Sequence, residues 1–143
     1  MNAPVIARVL GLLFVIAGAA GFVPWIAPIA PFTAPVIAIT AQYRMLFGIF
    51  PVNAAHDALH ILFGIWGIAA GAGFGVAVFY CRIVAIVYLI LVIFGALPLL
   101  NTLLGVAPIY GWDIALHAVI ALLAAYGGFG RGSHPPQIEE QPG

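Results

Sequence analysis

Long apolar runs, broken by prolines, glycines and a few polar residues, dominate the chain and predict helices. The first run spans about Val5 to Ile26 and is ended by Pro24 and Pro28. A second opens at Asn53, just after Pro51, and continues to about Gly73. A third spans about Val78 to Leu97 and stops at Pro98, and a fourth spans about Trp112 to Phe129. Each approaches the roughly 20 apolar residues that cross a bilayer. The short connection 72–77 predicts that the second and third helices are adjacent and antiparallel. Between the first two runs lie Pro28, Pro31 and Pro35, followed by Val36 to Phe50, which is apolar but interrupted by Gln42 and Arg44. That segment is too short for a full crossing. It is expected to be a loop with a short interfacial or re-entrant helix, Tyr43 and Phe50 being suited to the membrane edge.

Small residues recur along these helices. Gly11 and Gly18 share a stripe of the first, where Ala17 and Gly21 also form a small-xxx-small pair, and Gly64, Gly67 and Gly71 share a stripe of the second. Such stripes let helices approach closely where lipid supplies no hydrophobic drive for association.

Composition narrows the class. Of 143 residues, 65% are hydrophobic and 6% charged, against about 25% charged in soluble domains. The expected fold is an all-α, integral membrane four-helix transmembrane bundle. It forms a single domain over residues 1–130, with a mobile polar tail, 131–143, in the cytoplasm. The formal net charge is zero, which leaves no electrostatic footprint for nucleic acid. Cys81 is the only cysteine, so an intrachain disulfide and a multi-cysteine metal site are excluded. Arg8, an oily run and Ala17-Gly18-Ala19-Ala20 also fit a secretory leader; a retained first span is the expectation. Arg8, Arg82 and Arg131 fall on one side of the predicted membrane and Arg44 on the other, which favours both termini in the cytoplasm.

The polar residues are few and grouped. Asn53, His56, Asp57 and His60 sit three and four positions apart, on one face of the second helix. Asp113 and His117 occupy the start of the fourth. With four spans, the second and fourth helices run parallel and start at the same end, so these six residues are expected to converge in one layer. Polar groups in a membrane face the bundle interior and pair. The leading expectation is therefore structural: Asp57 accepting from His117, Asp113 from His60 or His56, and Asn53 closing the network. The alternative is ligation. His56 and His60, at i and i+4, can turn toward one metal ion, with His117 as a third ligand and Asp113 as a ligand or as the acceptor that orients one. His60 and His117, on facing helices, are instead the candidate ligands for a haem. A second alternative makes the layer a proton-linked small-solute transport site. No serine or cysteine nucleophile has a base nearby, and Cys81 beside Arg82 reads as inert.

From Leu46 to Gly67 the stretch Gly48-Ile49-Phe50-Pro51-Val52-Asn53-Ala54-Ala55-His56, a second histidine at His60 and a glycine-rich continuation resemble a bacterial family of small four-helix membrane proteins. These are grouped as domain of unknown function 4383, and Asp113 with His117 match the start of a later helix in its pattern. The resemblance covers about residues 5 to 130. It implies a multi-pass protein of the bacterial cytoplasmic membrane with no assigned activity.

The functional expectation is thus a small non-catalytic membrane protein, surrounded by lipid and suited to be an accessory subunit of a larger complex. Its glycine stripes would pack against other membrane subunits, pigments or a second copy. No cofactor is favoured over the structural reading.

Overall fold

A computed structural model of the chain describes residues 1–135; most of the expected tail, with Glu139 and Glu140, lies outside the described residues. Four helices carry the fold: α1 (Ala3–Gly21), α2 (Ala54–Ala70), α3 (Phe74–Ala96) and α4 (Trp112–Gly128). The first helix stops earlier than its apolar run, because Pro24 cannot continue it. Asn2 caps α1 by accepting from the Val5 N–H, and Asn53 caps α2 by accepting from the His56 N–H at 2.9 Å. At the other end of the fold Arg82 donates from Nε to the Gly128 carbonyl at 2.8 Å, which satisfies an orphan acceptor at the α4 C-terminus. Its guanidinium also lies 5.5 Å from the centre of the Phe129 ring.

The helices alternate in direction. Gly11 meets Gly64, Gly67 and Ile68, while Gly18 meets Asp57 and Ile61, so α1 and α2 run antiparallel along most of their length. Gly95 meets Ile114 and Gly128 meets Arg82, so α3 and α4 do the same. These two antiparallel pairs are the tightest in the fold. The sequence-adjacent α2 and α3 touch over less of their length, chiefly where Trp66 stands edge-on to Tyr80 at 5.0 Å and the Tyr80 hydroxyl donates to the Phe63 carbonyl. The α1 N-terminus, the α2–α3 connection and the α4 C-terminus share one end, and Gly132 reaches Met1 there.

The opposite end is closed by two long connections, 22–53 and 97–111. The expected interfacial or re-entrant helix in 36–50 is not formed. A two-stranded hairpin takes its place, β1 (Arg44–Leu46) against β2 (Phe50–Val52), with Leu46 opposite Phe50. Hydropathy alone does not register the reason: Gln42, Phe47 and Gly48 all have positive φ, a conformation that no helix accommodates. The two connections are stitched together. Ala38 and Ile39 donate to the Gly105 carbonyl at 2.8 and 3.1 Å, and the Tyr43 and Tyr110 hydroxyls lie 2.9 Å apart. Gly105, at φ +90°, has the Ala38 backbone 3.0 Å from where a Cβ would sit, so glycine is required there. Burial and the Tyr110 hydroxyl together push the Tyr43 phenol above its ordinary range.

The inside of the bundle mixes small, aliphatic and aromatic side chains with the buried polar residues, and the outside is oily. The core holds Ala3, Ala7, Leu10, Phe14, Ala77, Tyr80 and Ala124. Leu12, Leu13 and Ile16 of α1, Leu62 and Ile65 of α2, Phe79 and Leu89 of α3 and Val119 and Leu122 of α4 are each more than half exposed. Two helices, α1 and α3, are long and apolar enough to cross a membrane; α2 and α4 are apolar but shorter, at 17 residues each.

Candidate functional site

The six polar residues singled out from the sequence are all buried, at 9% exposure or less, yet they do not form one network. Three of them converge. His56 and His60 project from α2 and His117 from α4, and one nitrogen of each lies within 4.8 Å of the others. The His56 ring is centred 4.5 Å from His60 and 5.9 Å from His117. Because α2 and α4 start at the same end, the first two turns of each present their histidines at the same depth.

Each ring is oriented from outside the cluster. His56 Nδ1 lies 3.1 Å from the Pro108 carbonyl. A carbonyl only accepts, so Nδ1 carries the hydrogen and the Nε2 lone pair is free. His60 stacks on Phe14 of α1, with ring centres 5.5 Å apart and planes within 8°. His117 meets the Tyr88 ring edge-on at 4.9 Å, and Tyr88 in turn stacks on Phe14 at 5.3 Å. One aromatic pillar, Phe14 and Tyr88, therefore supports two of the three imidazoles. The sequence pattern did not point to these rings, since aromatics at helical spacing read as ordinary core. Pro108 escaped notice for a different reason: a backbone carbonyl leaves no side-chain signature.

Asp113 stays with the cluster. Its Oδ2 lies 3.5 Å from His117 Nε2, one helical turn away, without forming a hydrogen bond. Asp57 does not join it. Its carboxylate is pressed against Gly21 at the end of α1, where neither oxygen has a partner, so the expected bond to His117 is not made. Asn53 also serves elsewhere: its Nδ2 donates to the Ile39 and Val106 carbonyls, both at 2.8 Å. It ties the two connections to the start of α2 rather than closing a histidine network.

What remains is a cluster short of partners. His60 Nδ1 and both nitrogens of His117 are buried without a hydrogen bond. Buried polar nitrogens in that state are destabilising by about 1–3 kcal/mol each; a neutral imidazole has one free lone pair and one N–H, so each ring can offer one nitrogen to a ligand. A cavity of about 110 Å³ opens beside the three rings. Pockets for drug-sized ligands run to about 300–1,000 Å³, so the space beside His60 and His117, the candidate haem ligands, is small for a haem. A single ion fits it.

Fold and site together define a class: a mostly helical chain, apolar outside, that encloses a histidine cluster near one end. The chain matches the family model described as domain of unknown function (DUF4383) over residues 5–130, and it belongs to that family. No curated protein and no solved structure matches it.

Proposed function

We propose that this chain is a four-span membrane protein that binds one transition-metal ion through His56, His60 and His117. The convergence of three buried imidazoles from two helices, their nitrogens within 4.8 Å and mostly unpartnered, carries the reading. Imidazole suits zinc, copper, iron and nickel. Two nitrogens about 2.1 Å from a tetrahedral ion stand about 3.4 Å apart, so the rings close in by an ångström or so on loading. The Pro108 carbonyl on His56 and the Asp113 carboxylate beside His117 are the partners that ligating histidines require to fix tautomer and orientation.

The leading sequence expectation, a layer that only ties α2 to α4, has less support. Direct hydrogen bonds between α2 and α4 side chains, which that role needs, are not made among the described residues; His56 bonds to a loop carbonyl instead. Unbroken helices α1 to α4 count against a transporter, whose ion sites are commonly built from interrupted helices.

Four spans accord with the oily exterior of all four helices. At about 1.5 Å per residue, α2 and α4 are near the lower limit of about 17 residues for a crossing. Their buried polar starts are shielded by the hairpin and the 97–111 connection rather than by lipid. With Arg8, Arg82 and Arg131 at one end, both termini face the cytoplasm of a bacterial inner membrane. In a variant with Cys81→Ser, Thr33→Cys is expected to react with an impermeant maleimide on intact spheroplasts, and His134→Cys only after permeabilisation. The reverse labelling would invert the topology.

Metal content decides the function. Elemental analysis and absorption spectra of the detergent-purified protein are expected to show one ion per chain and no haem band. His60→Ala and His117→Ala should each weaken metal binding more than about 100-fold with the helices intact by circular dichroism, and Asp113→Asn about tenfold. A metal-free protein that refuses zinc, copper and cobalt, and co-purifies with other chains, would overturn this reading and restore that of a structural accessory subunit.

A further inference from the structure

Among the described residues, the three-histidine set has no fourth protein ligand. Asp113 lies against His117 itself, at 3.5 Å from its Nε2, and Asp57 is turned onto Gly21 of α1. Cys81 is on the far side of the core, its sulfur directed toward the Ala3 carbonyl. Met45 sits under the Tyr110 hydroxyl in the hairpin. What adjoins the imidazoles instead is the cavity of about 110 Å³, walled on its other sides by Leu59, Phe63, Val87, Leu103 and Ile109. Structural zinc sites are closed by four protein ligands, whereas three ligands and a space mark a site that takes an exogenous group.

We infer that the metal site is open, and that the cavity beside it receives a small anion of one to three atoms as the fourth ligand. This rests on the metal reading above. Size sets the upper limit: at about 30 Å³ per water-sized group, the chamber holds three or so non-hydrogen atoms. Charge sets the sign. A divalent ion on three neutral imidazoles carries a net positive charge in a largely apolar enclosure. A net buried charge is costly, and a monoanion such as hydroxide or azide lowers it. Apart from the imidazoles, Tyr88 brings the one polar side chain to the lining, so the ion itself is the main anchor.

Cobalt(II) loaded into the detergent-purified protein reads coordination directly through its visible bands, and sodium azide is the probe for the fourth position. The bands are expected to shift saturably with azide at one equivalent per metal. Leu59→Phe, which intrudes on the chamber from a residue half exposed on the outer face, should weaken azide at least tenfold while cobalt is retained; Val87→Phe approaches the chamber from α3 and serves if the first variant does not fold. Cobalt bands that ignore azide at any concentration would overturn the open site and leave the metal reading standing. An azide shift unaltered by a folded chamber-filling variant would place the anion elsewhere and also overturn it. Failure to bind cobalt at all, with zinc and copper likewise refused, would remove the metal site and this inference with it.

Discussion

Gly11→Ala is expected to destabilise the fold by about 3 kcal/mol or more, near the upper part of the range for overpacked interiors. A Cβ at Gly11 would lie 2.6 Å from the Ile68 nitrogen, 2.7 Å from the Gly64 oxygen and 2.9 Å from the Gly67 carbonyl carbon. All three are backbone atoms, so no rotamer change relieves the clash and α2 itself must move. Gly64→Ala meets the same obstacle from the other side, with the Val15 nitrogen and the Gly11 oxygen each at 2.7 Å. The intrinsic helix preference for alanine, about 1 kcal/mol, offsets only part of this. Gly75→Ala on α3 is the control, because nothing lies within 4 Å of a Cβ there; its expected effect is within about 1 kcal/mol. Thermal unfolding in mild detergent reads all three. A Gly11→Ala protein as stable as Gly75→Ala would mean that α1 and α2 do not approach as closely as described. The seam also seats Phe14 against His60, so a metal-loaded Gly11→Ala protein is expected to bind its ion more weakly.

The second large effect is expected at Asn53. One fully buried side chain accepts from the His56 N–H and donates to carbonyls of both connections, Ile39 and Val106. Asn53→Ala would leave one donor and two acceptors unsatisfied, at about 1–3 kcal/mol each; partial rescue by water brings the expected loss to about 3–5 kcal/mol. Asn53→Ser restores the helix cap alone and should recover about 1 kcal/mol. Hydrogen exchange gives the local readout. The Ala38 and Ile39 amides, bonded to the Gly105 carbonyl, should exchange faster in Asn53→Ala, while amides in the middle of α3 stay protected. Because Pro108 of the same connection orients His56, metal affinity should fall in parallel. Uniform loss of protection across α1 to α4 would show instead that Asn53 acts through the helix cap alone.

Much of this molecule was legible in the one-dimensional pattern. Apolar runs broken by proline, glycine or polar residues mark four helices, because a helix needs only local hydrogen bonds and a continuous apolar face. Gly11, Gly18, Gly64 and Gly67 read as a packing stripe, and each indeed meets backbone or side chain of the facing helix. The depth match of α2 and α4 followed from alternating direction, which placed His56, His60 and His117 together before any contact was known. Their spacing determined that the histidines would meet.

Tertiary structure decided the rest. Hydropathy does not encode backbone handedness, so the positive φ at Gln42, Phe47 and Gly48 turned an apolar segment from an expected helix into a hairpin. Nor does spacing encode direction around a helix finely enough. Asp57 and His56 are neighbours in sequence, yet the rotation of 100° between consecutive residues of a 3.6-residue turn sends one carboxylate to Gly21 and the other side chain to the cluster. The Pro108 carbonyl, the Phe14–Tyr88 pillar and the chamber beside the imidazoles come from four separate segments. Composition and periodicity determined which residues would be buried together; which of them find partners, and which three are left facing a space, depends on long-range contacts that the packed helices alone create.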